Sequence, residues 1–382
     1  MQSSVIPSAC QPPQGGIRLD LASCRQATQA LNEVSALLAQ HQLTTACWLT
    51  QAPGSTAVHV RLKPEALHAW MPRHDTLSLR QRMGTLNATT DHDLVREIWV
   101  ALLGAPVERS FPGVAALTSH IRVRLNIALA AQKTALAFKT EAAERPEDHW
   151  QYDEERGFTL KPGRCLIDAL IAATQPEATG KLYDFSCYRA TEYVILLGIA
   201  QELQAHHPDL LGQLQAINEI HAIRSGQFHD VFLVEYGSMD QPLPARYYVP
   251  GDRLWFRNPD ERSSDVMGYE GSWVIYMGGG LFSNFWKRDQ PFTLESKAIE
   301  IYHWRDGVHT DAQGQLQMDE NMVDQCVAQT LADPQATHRV LERMLRMRDP
   351  QGVYAAGGCI DSTREYPRGV SADQGELVLP VF

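Results

Sequence analysis

The chain predicts an α+β fold, and three observations carry that expectation. A long apolar run, Ala190–Ala200, is introduced by Ser186 and Cys187 and reads as a buried helix. After it the pattern switches to period two, the signature of strands. The triple glycine Gly278–Gly280 then interrupts two apolar stretches, as a hairpin turn does. A helix followed by a small antiparallel sheet is the α+β arrangement.

Taken in order, residues 1–16 are rich in Ser, Pro, Gln and Gly and are expected to be disordered. Residues 25–40 form an amphipathic helix with Leu31, Val34, Leu37 and Leu38 on one face. Cys47–Thr50 and Ala57–Leu62 are short strands. Leu94, Ile98, Trp99 and Leu102 define a helix over Asp91–Leu103, closed by Gly104 and Pro106. Leu117, Ile121, Leu125, Ala128, Leu129 and Leu136 predict one long helix over Val114–Ala143, ended by Pro146. Trp150–Leu160 is a hairpin turning at Arg156-Gly157, and Cys165–Ala173 is a helix.

Strands follow over Asp230–Tyr236, Arg246–Val249 and Arg253–Arg257, the last preceded by the turn Pro250-Gly251-Asp252. Ser272–Met277 is an apolar strand whose hairpin partner is Leu281–Trp286. Gln325–Met347 is helical, and Glu376–Val381 is a final strand. Trp255, Trp273, Phe282 and Trp286 are assigned to the core and the walls of a cleft.

Cys187 is the residue with chemistry. Ser is a favoured N-cap, so the thiol falls on the first helical position. There the unpaired N–H groups and the helix dipole favour thiolate, which is the nucleophile. Of the seven cysteines (10, 24, 47, 165, 187, 326 and 359), none forms a Cys-x-x-Cys pair, so a zinc site of the usual kind is not expected. Mostly buried, reduced thiols are expected instead. The net charge of -11 argues against nucleic acid as a partner. No apolar run is long enough to cross a membrane. The N-terminus lacks the regions of a signal peptide. The expected location is cytoplasmic, or that of an effector secreted without such a peptide.

Several segments resemble the small calcium-independent protein-glutamine gamma-glutamyltransferases of spore-forming bacteria. They run in the same order: Ile121–Ala131, the Trp150 hairpin, Leu160-Lys-Pro162, Tyr183–Thr191, Gly251–Pro259 and Gly271–Ile275. The turn and strands after Pro250 are also similar to those of papain-like cell-wall amidopeptidases. The resemblance implies a papain-like core, with the nucleophile helix packed on a small antiparallel sheet. That core spans residues 106–310, with an α+β accessory region over 1–105 and a helical extension and tail over 311–382.

The resemblance implies acyl transfer at the glutamine side chains of a protein substrate. A Cys187 thioester is opened by a lysine amine, giving a crosslink, or by water, giving deamidation. No cofactor and no metal are required. In that family a Glu precedes the cysteine and another lies in the strand; here the positions hold Ser186 and Ser272. Replacement acids or bases rank as Glu270, two residues from Ser272 and on the same strand face, then His303, then Asp184; His229 is a further histidine. Ser272, Asn284, Trp273 and Arg189 are the candidate substrate-binding residues: Asn284 falls where related folds orient the base, Trp273 lines the substrate path, and Arg189, two residues beyond the cysteine, stabilises the thiolate or is simply exposed. A cysteine amidase acting on peptide, or a non-catalytic binding descendant, is the alternative.

Overall fold

The computed structural model describes residues 15–85, 90–138, 143–349, 357–371 and 377–381. The N-terminal part is built on a four-stranded sheet of order β2-β3-β1-β4. Its elements are β1 (Gly16–Asp20), α1 (Cys24–Gln40), β2 (Cys47–Thr50), β3 (Ala57–Leu62), α2 (Pro64–Trp70), α3 (Leu79–Arg82), α4 (Asp91–Leu103) and β4 (Glu108–Phe111). Alternation along β3 buries Val58, Val60 and Leu62. The apolar faces of α1 and α4 cover the sheet and close one core.

Next come α5 (Val114–Lys133), β5 (Ala137–Phe138), β6 (Trp150–Asp153), β7 (Gly157–Leu160), α6 (Leu166–Thr174), β8 (Asp184–Phe185) and α7 (Cys187–His206). Helices α5 and α7 approach closely at Gly198, where a Cβ would lie 2.5 Å from Cγ1 of Ile127. The expected long helix stops ten residues early, because residues beyond Lys133 bond elsewhere. Leu136 donates to the carbonyl of Phe285, and Ala137-Phe138 pairs in parallel with Asp184-Phe185.

The remaining elements are α8 (Pro208–Ile220), α9 (Gly226–Phe232), β9 (Leu233–Tyr236), β10 (Arg253–Arg257), α10 (Glu261–Ser264), β11 (Gly271–Gly278), β12 (Leu281–Phe282), α11 (Leu294–Gly307), β13 (Val308–Thr310), β14 (Leu316–Met318), α12 (Glu320–Ala332), α13 (Pro334–Met344) and β15 (Arg364–Pro367). Five of these strands make a second sheet, in the order β12-β11-β10-β15-β9, with every pair antiparallel. Its last-made strand is thus inserted between two earlier ones, so residues beyond 310 supply part of the central sheet.

The sheet separates two cores. Ile275 and Met277 of β11 join the core formed with α5, α6 and α7. Val274 and Tyr276 join the one formed with α11 and α13. This is the period-two division of a strand buried on both faces.

Three strand expectations are corrected. Asp230–Phe232 belongs to helix α9, and only Leu233–Tyr236 is strand. Arg246–Val249 is not a strand: Thr76 takes its bonds, donating from Oγ1 to the carbonyl of Tyr248 at 2.7 Å and accepting from the Tyr248 N–H at 2.8 Å. Residues 377–381 contain no strand, and residue 376 lies outside the described residues. Residues 1–14 also lie outside them, whereas Gly16 already belongs to β1. The turn before β10 needs Gly251: φ is +86°, and a Cβ would lie 2.9 Å from Cα of Arg124. Arg124 is held there by Asp252 at 2.8 Å.

Candidate active site

Helix α7 begins at the thiol. Ser186 is its N-cap, with Oγ accepting from the Arg189 N–H at 3.4 Å. Cys187 is half-buried, in surroundings dense with protein atoms. Burial pushes its thiol up from the ordinary value. The N–H of Trp273, the ammonium of Lys297 and the N–H of Tyr188 pull it down, and the carboxylate of Glu270 pushes it up again. The net direction is upward, against the lowering that a helix start by itself would give. Desolvation at this helix start outweighs the N–H groups.

Strand β11 supplies the facing wall. Trp273 lies on the α7 side, sharing that face with Ile275 and Met277, while Ser272 is buried on the other face, opposite Phe256. The Trp273 ring stacks on Trp255, with centroids 5.9 Å apart, and meets Tyr188 edge-on at 5.3 Å. Arg253 is buried against two of these rings, 4.2 Å from the centroid of Trp273 and 4.3 Å from that of Tyr188. Its Nε is 3.1 Å from Glu365 of β15, and Glu365 in turn lies 3.4 Å from Nε2 of His229. Burial raises the Glu365 carboxyl, and Arg253 and His229 oppose that shift.

Of the expected site residues, Glu270 comes within electrostatic reach of the thiol. It is exposed just ahead of β11 and accepts from the Gly268 N–H at 3.3 Å. His303 is not brought there. Its Nδ1 meets Asp306 at 2.6 Å and its Nε2 meets Thr330 at 2.7 Å, between α11 and α12. Lys297, whose charge does reach Cys187, lies six residues earlier on the same helix, about 120° around its axis.

Asp184 is buried in β8, with its carbonyl accepting from Arg145 at 2.9 Å, and it is not among the leading influences on the thiol. Arg189 turns to the far side of α7, bonded to Glu192 and to Ser225. Asn284 braces a loop, donating to the carbonyl of Gln290 at 2.8 Å and accepting from the Lys287 N–H at 3.2 Å.

Sequence reasoning missed Lys297, Arg253 and Glu365. Arg253 stood in a recognised strand, but the apolar run Leu254–Phe256 does not alternate, so the sequence did not show which face the arginine takes. Lys297 and Glu365 lie in elements that went unread. The six described cysteines divide evenly among buried, half-buried and exposed, so the expectation of mostly buried thiols does not hold; Cys10 lies outside the described residues.

A cavity of about 300 Å³ borders the thiol's neighbours. Among its lining are Phe138, paired beside Phe185, Tyr269, next to Glu270, and Ser296, next to Lys297. Its aromatic walls include Trp286 and Trp304, and its acidic residues are Glu300, Glu320 and Asp324. A larger cavity of about 430 Å³ is lined by Arg189, Glu192, Tyr193 and Leu196, on roughly the opposite side of α7 from Cys187.

The sequence model of the protein-glutamine gamma-glutamyltransferase (TGL) family matches residues 76–364, more than half of the 382-residue chain. The chain belongs to this family. Its matched stretch holds the cysteine helix, both flanking cores and α11–α13, and reaches the first residue of β15. Among solved structures, transglutaminase from Geobacillus stearothermophilus (without C-terminal extension) is similar at 22% identity with a TM-score of 0.40, covering 56% of this chain and 98% of that one. No curated protein matches the chain. Among the described residues, no helix is long and apolar enough to cross a membrane.

Proposed function

We propose that this gamma-glutamyltransferase transfers the acyl group of protein-bound glutamine through a thioester on Cys187. The observation that carries the reading is the thiol at the start of α7, approached by the N–H groups of Tyr188 and Trp273 and by the carboxylate of Glu270. The sulfur loses its proton to Glu270 and attacks the carboxamide carbon. The tetrahedral oxygen takes the negative charge, and backbone N–H groups at the helix start and on β11 are suited to stabilise it. The C–N bond then breaks, Glu270 returns the proton to the nitrogen, and ammonia leaves. A lysine amine attacks the thioester, Glu270 takes the amine proton and returns it to the departing sulfur, and an isopeptide bond remains; attack by water along the same proton route gives glutamate.

The cavity beside the site favours the amine. Its aromatic walls suit the four-carbon stem of lysine; Glu300 and Asp324 already face Lys297 at 3.1 Å and Lys287 at 2.9 Å, which leaves Glu320, bonded to the Tyr269 hydroxyl, to meet an incoming amine. The core in this reading is papain-like, with residues 1–105 as an accessory region that recruits the substrate. The test is incorporation of a labelled primary amine into a glutamine-bearing protein, with ammonia measured alongside. Incorporation by the wild type and none by Cys187→Ala is expected. Ammonia without incorporation would move the reading to deamidation, and neither product would sink it.

A further inference from the structure

We infer that His303, Asp306 and Cys326 form a binding site for a zinc-like dication, separate from the Cys187 thiol. One imidazole nitrogen, one carboxylate oxygen and one sulfur lie within 4.8 Å of one another. His303 and Asp306 are three residues apart and share a face of α11, while Cys326 and Thr330 are four apart on the facing side of α12. Zinc bonds of about 2.0–2.3 Å to such ligands put tetrahedral donors roughly 3.3–3.8 Å apart, so the Nδ1 of His303 and the Asp306 oxygen, now 2.6 Å apart, part by about 1 Å as the ion enters and the Cys326 sulfur closes on it. Asp306 is 43% exposed and Cys326 is half-buried, which leaves both able to move and leaves a fourth position for water.

Thr330 supplies the outer support that a metal-bound histidine needs. Its hydroxyl lies 2.7 Å from Nε2, so when a cation displaces the proton that Nδ1 shares with Asp306 at 2.6 Å, Nε2–H donates to Thr330 and the Nδ1 lone pair is left for the ion. The mixed nitrogen, oxygen and sulfur set suits zinc or cobalt, and it excludes magnesium and calcium, which take oxygen. The ligands come from two helices and include a single cysteine, which is why no local cysteine spacing revealed them.

The place of the site gives the ion a role. Helix α12 contributes Glu320, Val323, Asp324 and Val327 to the cavity beside the thiol, and α11 contributes Ser296, Glu300 and Trp304. An ion held by both helices staples one wall of that cavity to the other. Binding to the folded state then raises stability.

The test uses the full-length chain, freed of metal by a chelator and dialysed. Zinc chloride is titrated by competition with a chromophoric chelator, and cobalt chloride by absorbance. Expected are a thiolate-to-cobalt band in the near ultraviolet and a higher melting temperature with zinc. Cys326→Ser should abolish the band, and Asp306→Asn, at an exposed position, should weaken zinc at least about tenfold. Cys187→Ala should keep both signals, which makes the result independent of the proposed acyl transfer. A band that survives Cys326→Ser, a band lost only in Cys187→Ala, or a melting temperature indifferent to zinc would each overturn the inference.

Discussion

Arg253 of β10 and Glu365 of β15 lie 3.1 Å apart on the side of the sheet that faces the nucleophile helix. The guanidinium is 1% exposed and packs against the rings of both Tyr188 and Trp273, whose N–H groups act on the Cys187 sulfur. Glu365→Gln leaves that cation buried without its anion, and the expected loss is about 3 kcal/mol of unfolding free energy. Urea unfolding measures it. The double variant Arg253→Leu/Glu365→Gln should recover part of the loss, because both charges are then gone.

Cys187 should alkylate slowly at neutral pH. Its thiol is raised from the ordinary value, and only the thiolate reacts, so its iodoacetamide rate should still be climbing above pH 9. A plateau below pH 8 would contradict the upward shift. Mass spectrometry of the peptide containing Cys187 separates it from the exposed Cys24 and Cys165.

Glu270→Gln should move two readouts in opposite directions. Removing the carboxylate takes away a charge that holds the thiol up, so alkylation at pH 8 should quicken. The same change removes the proposed proton carrier, so amine incorporation should fall about a hundredfold or more. If both rates fell together, Glu270 would be supporting the site rather than transferring a proton.

Lys297→Met should slow alkylation. The ammonium of Lys297, buried against Phe292 at 4.0 Å and Trp304 at 5.6 Å, pulls the thiol down. Without it the thiolate fraction at a given pH drops. Circular dichroism separates this from unfolding, since methionine preserves the packed stem.

Gly251→Ala should cost about 2–3 kcal/mol, because the residue is fixed in the left-handed region and its new Cβ meets the backbone of Arg124. Thermal melts of the variant check it.

The parts of this architecture that were legible were those with a local cause. Ser186 before an apolar run marks the start of α7, strict alternation marks β3, and the Pro250-Gly251-Asp252 turn marks the start of β10. Helix α11 escaped because its buried residues, Leu294, Lys297, Ala298, Ile301 and His303 among them, do not make a single stripe, and its capping box carries Ser296 where Glu or Gln is the usual signal. Arg246–Val249 does alternate, sending Tyr247 and Tyr248 into different cores, but a threonine 170 or so residues away claims its backbone. The same distinction runs through the site. The nucleophile announced itself by its neighbours in the chain, whereas Lys297, Arg253 and Glu365 gain their meaning from neighbours in space.

The position of β15 has a consequence for how the enzyme comes into being. Glu235 and Glu365 pair across 130 residues, and β15 alone joins β9 to the rest of its sheet. During synthesis the cysteine helix therefore exists long before the wall opposite it is whole. Such distant pairing forms slowly, so the sheet behind the nucleophile is closed only after nearly the whole chain has been made.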